Sequence, residues 1–133
     1  MPKGGEIALA PYSKLIFGTS TVAIPPLNVV AISKFELLGK DLMVQVNSKT
    51  AKKLGVSEGS KVKLAGAGGE CAVRIHINEG VMNDVIAAPL GFGHTAWDAY
   101  SSGKGENISK LLTVGTESGT GLSVWTSSFV SIA

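Results

Sequence analysis

The chain has 133 residues, 44% of them hydrophobic and 17% charged, with mean hydropathy +0.28 and a formal net charge of +2. That length suits one domain with one core, and the charged fraction lies below the roughly one quarter usual for independent soluble domains, as expected of a piece that packs against something else. The small charge, with lysines scattered except at Lys52 and Lys53, gives no argument for a nucleic-acid surface. No window reaches the roughly 18 consecutive apolar residues of a membrane helix, and the lone Cys71 excludes an internal disulfide framework.

Residues 1–14, MPKGGEIALAPYSK, read as an extended entry into the domain, in keeping with a fragment or small subunit of a larger polypeptide. No export signal is visible, which leaves cytoplasm and periplasm open. LIFG at 15–18 reads as a short buried strand, followed by the polar turn Gly18-Thr19-Ser20-Thr21. Pro25-Pro26 excludes regular helix there, so the chain to about residue 40 is expected to be mostly loop, with an extended or short helical patch at 27–32. LMVQV at 42–46 predicts a strand, Asn47 an N-cap, SKTAKKL a short helix, and Gly55 its left-handed stop with Val56 closing the turn. KVKLAG, the turn GAGG and the alternating ECAVRIHI predict a hairpin with Cys71, Val73, Ile75 and Ile77 on the core face and Arg74 and His76 opposite. DVIAAPL and the alternating LSVWTSSFVSI at 122–132 predict two more strands. Many short strands with only short helices between them argue for a closed β-barrel, which also removes exposed edges.

The functional signal concentrates in residues 87–113, where Gly91, Gly93, Gly103 and Gly105 alternate with His94, Thr95, Ser101, Ser102 and Asn107. Glycines let backbone N–H groups approach a ligand, and the neutral side chains add donors and acceptors, a surface suited to a polar phosphate-bearing ligand. A glycine-rich surface loop without a ligand is the plainer alternative. Gly91 to Ala96 formally matches the G-x-G-x-x-A nicotinamide fingerprint, but too little chain follows for repeated βαβ units. Gly18 to Thr21 can cradle phosphate through backbone N–H groups and hydroxyls, although the lysine of a P-loop is absent, and an ordinary strand-end turn is equally expected. No nucleophile accompanies His94, and His76, His94 and Cys71 lack metal-ligand spacing, so neither a catalytic triad nor a protein-ligated metal is assigned. Cys71 is expected in the core as a small hydrophobe, His76 solvated or at an interface, and Trp97, Tyr100, Trp125 and Phe129 in the core or on an interdomain surface.

DLMVQVNSKTAKKLGVSEGSKV at 41–62, the strand pair and glycine-rich segment after it, then Glu106-Asn107-Ile108 and Ser118-Gly119-Thr120, together resemble the C-terminal domain of molybdopterin oxidoreductases of the dimethyl sulfoxide reductase superfamily. GFGHTAWDAYSSGKGEN resembles its quinone-linked, polysulfide-reductase-like branch. The resemblance runs from about Tyr12 to the end. It implies a mainly β fold, a six-stranded double-psi β-barrel with short helices, filling residues 1–133 as a single domain. It implies a chain that binds molybdopterin guanine dinucleotide, carrying molybdenum or tungsten, jointly with other domains and without activity of its own. The cofactor-binding residues implied are Gly18, Thr19, Ser20, Thr21, Gly91, Gly93, His94, Thr95 and Asn107. The implied partners are the remaining domains or catalytic subunit, with iron–sulfur and membrane quinone-linked subunits beyond them. Two positions depart from the family pattern: Thr19 stands where arginine is common, and Gly121 where proline is usual. Part of the 41–62 motif also occurs in double-psi barrels without a cofactor, which makes an interaction or adaptor module the alternative.

Overall fold

A computed structural model describes residues 7–17, 28, 30–96, 99–125 and 128–132. Among these described residues the strands are β1 (Ile7–Tyr12), β2 (Leu37–Leu38), β3 (Asp41–Val46), β4 (Lys61–Gly66), β5 (Gly69–Ile77), β6 (Val85–Pro89), β7 (Gly115–Thr116), β8 (Ser123–Val124) and β9 (Phe129–Ile132), and an α-helix, α1 (Ser48–Leu54), follows β3. The main sheet runs β2-β3-β5-β4-β9-β1-β6, and a further β3–β6 pairing joins its ends. Strands β3, β5, β4, β9, β1 and β6 therefore close into the predicted six-stranded barrel, with β2 appended to β3 and β7–β8 forming a separate hairpin. Two pairs are parallel, β1 with β6 and β3 with β5, and the others are antiparallel.

Alternation explains the closure. Leu42, Val44 and Val46 of β3, Cys71, Val73 and Ile75 of β5, and Ile7 and Leu9 of β1 are almost wholly buried, so period-2 apolar positions from each strand meet in one interior. Ile86 and Ala88 of β6 and Val130 of β9 complete it, and Phe92, Ile108 and Leu111 from outside the strands join the same core. Helix α1 forms where the sequence predicts. The Asn47 side chain accepts from the Lys49 N–H at 2.9 Å, Gly55 takes φ 68°, and the Val56 N–H reaches the Ala51 carbonyl.

Three expectations fail. The first barrel strand is β1, within the segment read as an extended lead-in, and Leu15–Phe17 is a 3-10 turn whose Leu15 is fully exposed. The alternating run at 122–132 forms two strands, not one. Between them Ser128 is buried, donating to the Trp125 carbonyl at 2.8 Å and accepting from the Thr113 N–H at 2.8 Å. Of the aromatics expected in the core or on an interdomain surface, Tyr100 and Trp125 are exposed, Phe129 is half-buried, and Trp97 lies outside the described residues. Cys71 is buried as predicted, and burial, with the charge of Glu106, pushes its thiol pKa up.

Candidate cofactor cleft

Strand β6 delivers the chain to Leu90, whose N–H donates to the Tyr12 carbonyl at 2.9 Å. The following arm folds back on residues 103–105. The Gly93 N–H donates to the Lys104 carbonyl at 2.9 Å, the Gly103 N–H to the His94 carbonyl at 3.0 Å, and the Gly105 N–H to the Lys40 carbonyl at 2.9 Å. Two backbone bonds thus zip the glycine-rich loop, and a third ties it to the β2–β3 turn. Gly93, at φ 80°, packs so closely on the chain at 106–107 that a Cβ there would lie 2.6 Å from the Glu106 carbonyl carbon. Only glycine fits that approach.

The loop borders a cleft of about 550 Å³ lined by Gly91, Gly93, His94, Asn107, Ser109 and Trp125, with Ser13, Leu90, Phe92 and Leu112 completing its wall. Its volume falls in the roughly 300–1,000 Å³ usual for small-molecule sites. The Asn107 carboxamide oxygen accepts from the Ser109 N–H at 3.1 Å, capping the 3-10 turn Ile108–Leu111, and the Cys71 thiol sits 3.5 Å from the Asn107 carbonyl. His94 Nε2 is buried without a hydrogen-bond partner among the described residues. His94 lines the cleft, and its orphaned ring nitrogen is a buried polar group awaiting a partner.

The structure thus gathers Gly91, Gly93, His94 and Asn107 into one cleft. Thr95 is exposed beside it and is absent from its lining, and its carbonyl accepts from the Ser102 hydroxyl. Gly18, Thr19, Ser20 and Thr21 lie outside the described residues. Sequence reasoning missed Ser13, Ser109 and Trp125. The exposed indole beside the cleft had a signal, since an aromatic in so lightly charged a chain is a candidate for an interdomain surface. The strand end supplies the neighbouring pocket as well: Tyr12 and Lys14 line the other cavity, while Ser13 between them lines this cleft.

The family model described as "Molydopterin dinucleotide binding domain" matches residues 32–123. The chain belongs to that family. As a molybdopterin dinucleotide-binding domain it is 52% identical over 127 residues to the menaquinone reductase, molybdopterin-binding-like subunit of Nitratidesulfovibrio vulgaris, covering 96% of this chain and 18% of that subunit. Its fold superposes on acetylene hydratase from Pelobacter acetylenicus with TM-score 0.65 at 14% identity, covering 95% of this chain and 18% of that one. The chain therefore spans less than a fifth of the length of either protein. The cofactor this family implies is molybdopterin guanine dinucleotide with molybdenum or tungsten, shared with other domains of a larger subunit.

The cleft fits part of such a group. Its polar lining is neutral, from Ser13, His94, Asn107 and Ser109, and its apolar wall, from Leu90, Leu112 and Trp125, suits the faces of a heterocycle.

Proposed function

We propose that residues 1–133 act as one domain that holds part of the pterin guanine dinucleotide in the Gly91–Asn107 cleft, with the rest of the site supplied by other domains. The observation that carries this is the buried, unpartnered Nε2 of His94 at a donor-rich cleft between zipped glycine arms. His94 meets a polar atom of the ligand, Asn107 and Ser109 orient it, and Gly91 lets it approach the backbone. Gly18 to Thr21 are assigned to the phosphates, through their hydroxyls and N–H groups. Thr95, at the rim, serves the same ligand from outside the cleft. When bound, the metal held by the pterin supplies the redox chemistry, and this chain contributes binding and orientation only.

The test is an NMR titration of the labelled chain with GDP, a stand-in for the guanine nucleotide half, at millimolar concentration. Saturable shifts confined to residues 18–21 and 91–107 are expected, reduced in His94→Ala. Scattered or absent shifts would discard the reading in favour of a cofactor-free barrel serving as an adaptor. We further propose that the larger subunit works beside iron–sulfur and membrane quinone-linked subunits, a reading supported by the 52% identical relative being named a menaquinone reductase subunit. Co-purification of the complete subunit with such partners checks it.

A further inference from the structure

A second cavity, of about 430 Å³, opens where the end of β1 meets the segment before β2, lined by Tyr12, Lys14, Ser33, Phe35, Glu36 and Gln45 among others. Most of its polar groups are satisfied. The Gln45 amide donates to the Tyr12 hydroxyl at 3.0 Å, and the Asn78 amide donates to the Gln45 carbonyl oxygen at 2.6 Å. Glu36 is the exception. The residue is only 2% exposed, its Oε1 pairs with the Lys14 ammonium, and its Oε2 is buried with no hydrogen-bond partner among the described residues. A buried carboxylate with one idle oxygen is a costly arrangement unless something supplies the second donor.

Three observations identify that donor. Lys14 is itself more than one third exposed, so its point charge can return to water when a better partner arrives. A guanidinium presents parallel N–H groups that satisfy both carboxylate oxygens at once, which one ammonium does not do here. Phe35 lines the same cavity, is exposed, and stacks its ring on His76 at 4.5 Å between centroids, while Glu58 holds His76 at 2.9 Å, so the ring is a supported aromatic face for a planar cation.

The surroundings identify the occupant. Leu15, Ile16, Val30, Phe35 and Leu38 are all exposed in the stretch of chain that brackets Glu36, the composition of a covered interface. More than four fifths of the 52% identical subunit lies outside the segment this chain matches. We propose that the Glu36 pocket is a docking socket for an arginine side chain carried by the remainder of the larger subunit, with Phe35 as its stacking platform. The proposal rests on the reading of this chain as one domain of such a subunit, and it is independent of what fills the glycine cleft.

The experiment titrates the labelled chain with N-acetyl-arginine amide and, in parallel, N-acetyl-lysine amide. Saturable shifts at Tyr12, Lys14, Phe35 and Glu36 are expected with the arginine probe, with the lysine probe at least about tenfold weaker, equivalent to roughly 1.4 kcal/mol. Glu36→Gln should abolish the response and Phe35→Ala weaken it severalfold. Equal responses to both probes, no response, or a response that survives Glu36→Gln would overturn the socket. Should Glu36→Gln fail to fold, the contrast between probes on the native chain still decides. A dilution series without probe that moves the same resonances would overturn it in favour of a second copy covering the face. Because GDP reports on the other cavity, arginine binding without GDP binding removes the cofactor reading alone, and the converse removes the socket alone.

Discussion

Replacing Gly93 with Ala is the sharpest perturbation of the zipped loop. Two costs arise there. At φ 80° an L-residue occupies left-handed backbone, which costs about 1–2 kcal/mol. The new Cβ would also lie 2.6 Å from the Glu106 carbonyl carbon and 2.9 Å from the Asn107 Cα, so backbone must move, an overpacking cost of about 1–3 kcal/mol. Together they predict a loss of about 2–5 kcal/mol, a large share of the roughly 5–15 kcal/mol by which domains are stable. Gly103→Ala is the internal control, because Gly103 has φ 69° but nothing within 4 Å of its Cβ position, leaving only the first cost. Urea denaturation of both variants, read as midpoint shifts at constant slope, separates the terms. If Gly93→Ala is no more destabilising than Gly103→Ala, the close packing of the two arms contributes nothing and the reasoning fails.

Asn107→Ala should remain folded, lose about 1 kcal/mol as its cap on the Ser109 N–H disappears, and bind GDP several-fold more weakly. Asn107→Asp keeps the cap, so a loss of GDP affinity at native stability in that variant assigns Asn107 to the ligand. Asp41 has its carboxyl held below the usual range by hydrogen bonds from Arg74 at 2.6 Å and Lys61 at 3.1 Å. Its stabilising effect is therefore complete above the ordinary carboxylate pKa and disappears as pH falls through its lowered value. The stability gap between the native chain and Asp41→Asn should accordingly close on acidification; a pH-independent gap would count against the pair. Burial and the charge of Glu36 push the Tyr12 phenol to about 12, against a partial offset from Gln45. A raised pKa means this contribution is intact below pH 10 and lost as pH rises towards 12, and comparing tyrosinate absorbance of the native chain with Tyr12→Phe shows it directly.

The middle of the chain was readable because local and global signals agree there. Asn47 caps, Gly55 stops, and the alternation of β5 buries Cys71, Val73 and Ile75 as predicted, with Ile77 half-buried at its end. The N-terminal strand was hidden by IALAPY, whose alanines and Pro11 are poor strand formers. Pro11 is tolerated because β9 pairs with β1 only at Ile7 and Ala8, so the missing N–H removes no bond on that side. LIF misled because an apolar triplet was read as buried, whereas the structure leaves Leu15 in the open. In the site, spacing brought out the glycines and Asn107, but Ser13 and Trp125 reach the cleft through β1 and the β8–β9 corner, and tertiary pairing of that kind leaves no mark in local pattern. Glu36 likewise looks in sequence like any surface acid.

The segment 12–14, at and just past the end of β1, also makes the two cavities hostage to a single parity. Tyr12 and Lys14 line the carboxylate pocket and Ser13 the glycine cleft, so successive residues there serve opposite cavities. Losing or gaining one residue there would send a lysine into the neutral cleft and a serine to Glu36, rewriting both sites in one step. A change of two residues would preserve the alternation. Length variation at this junction among natural relatives should therefore come in even steps.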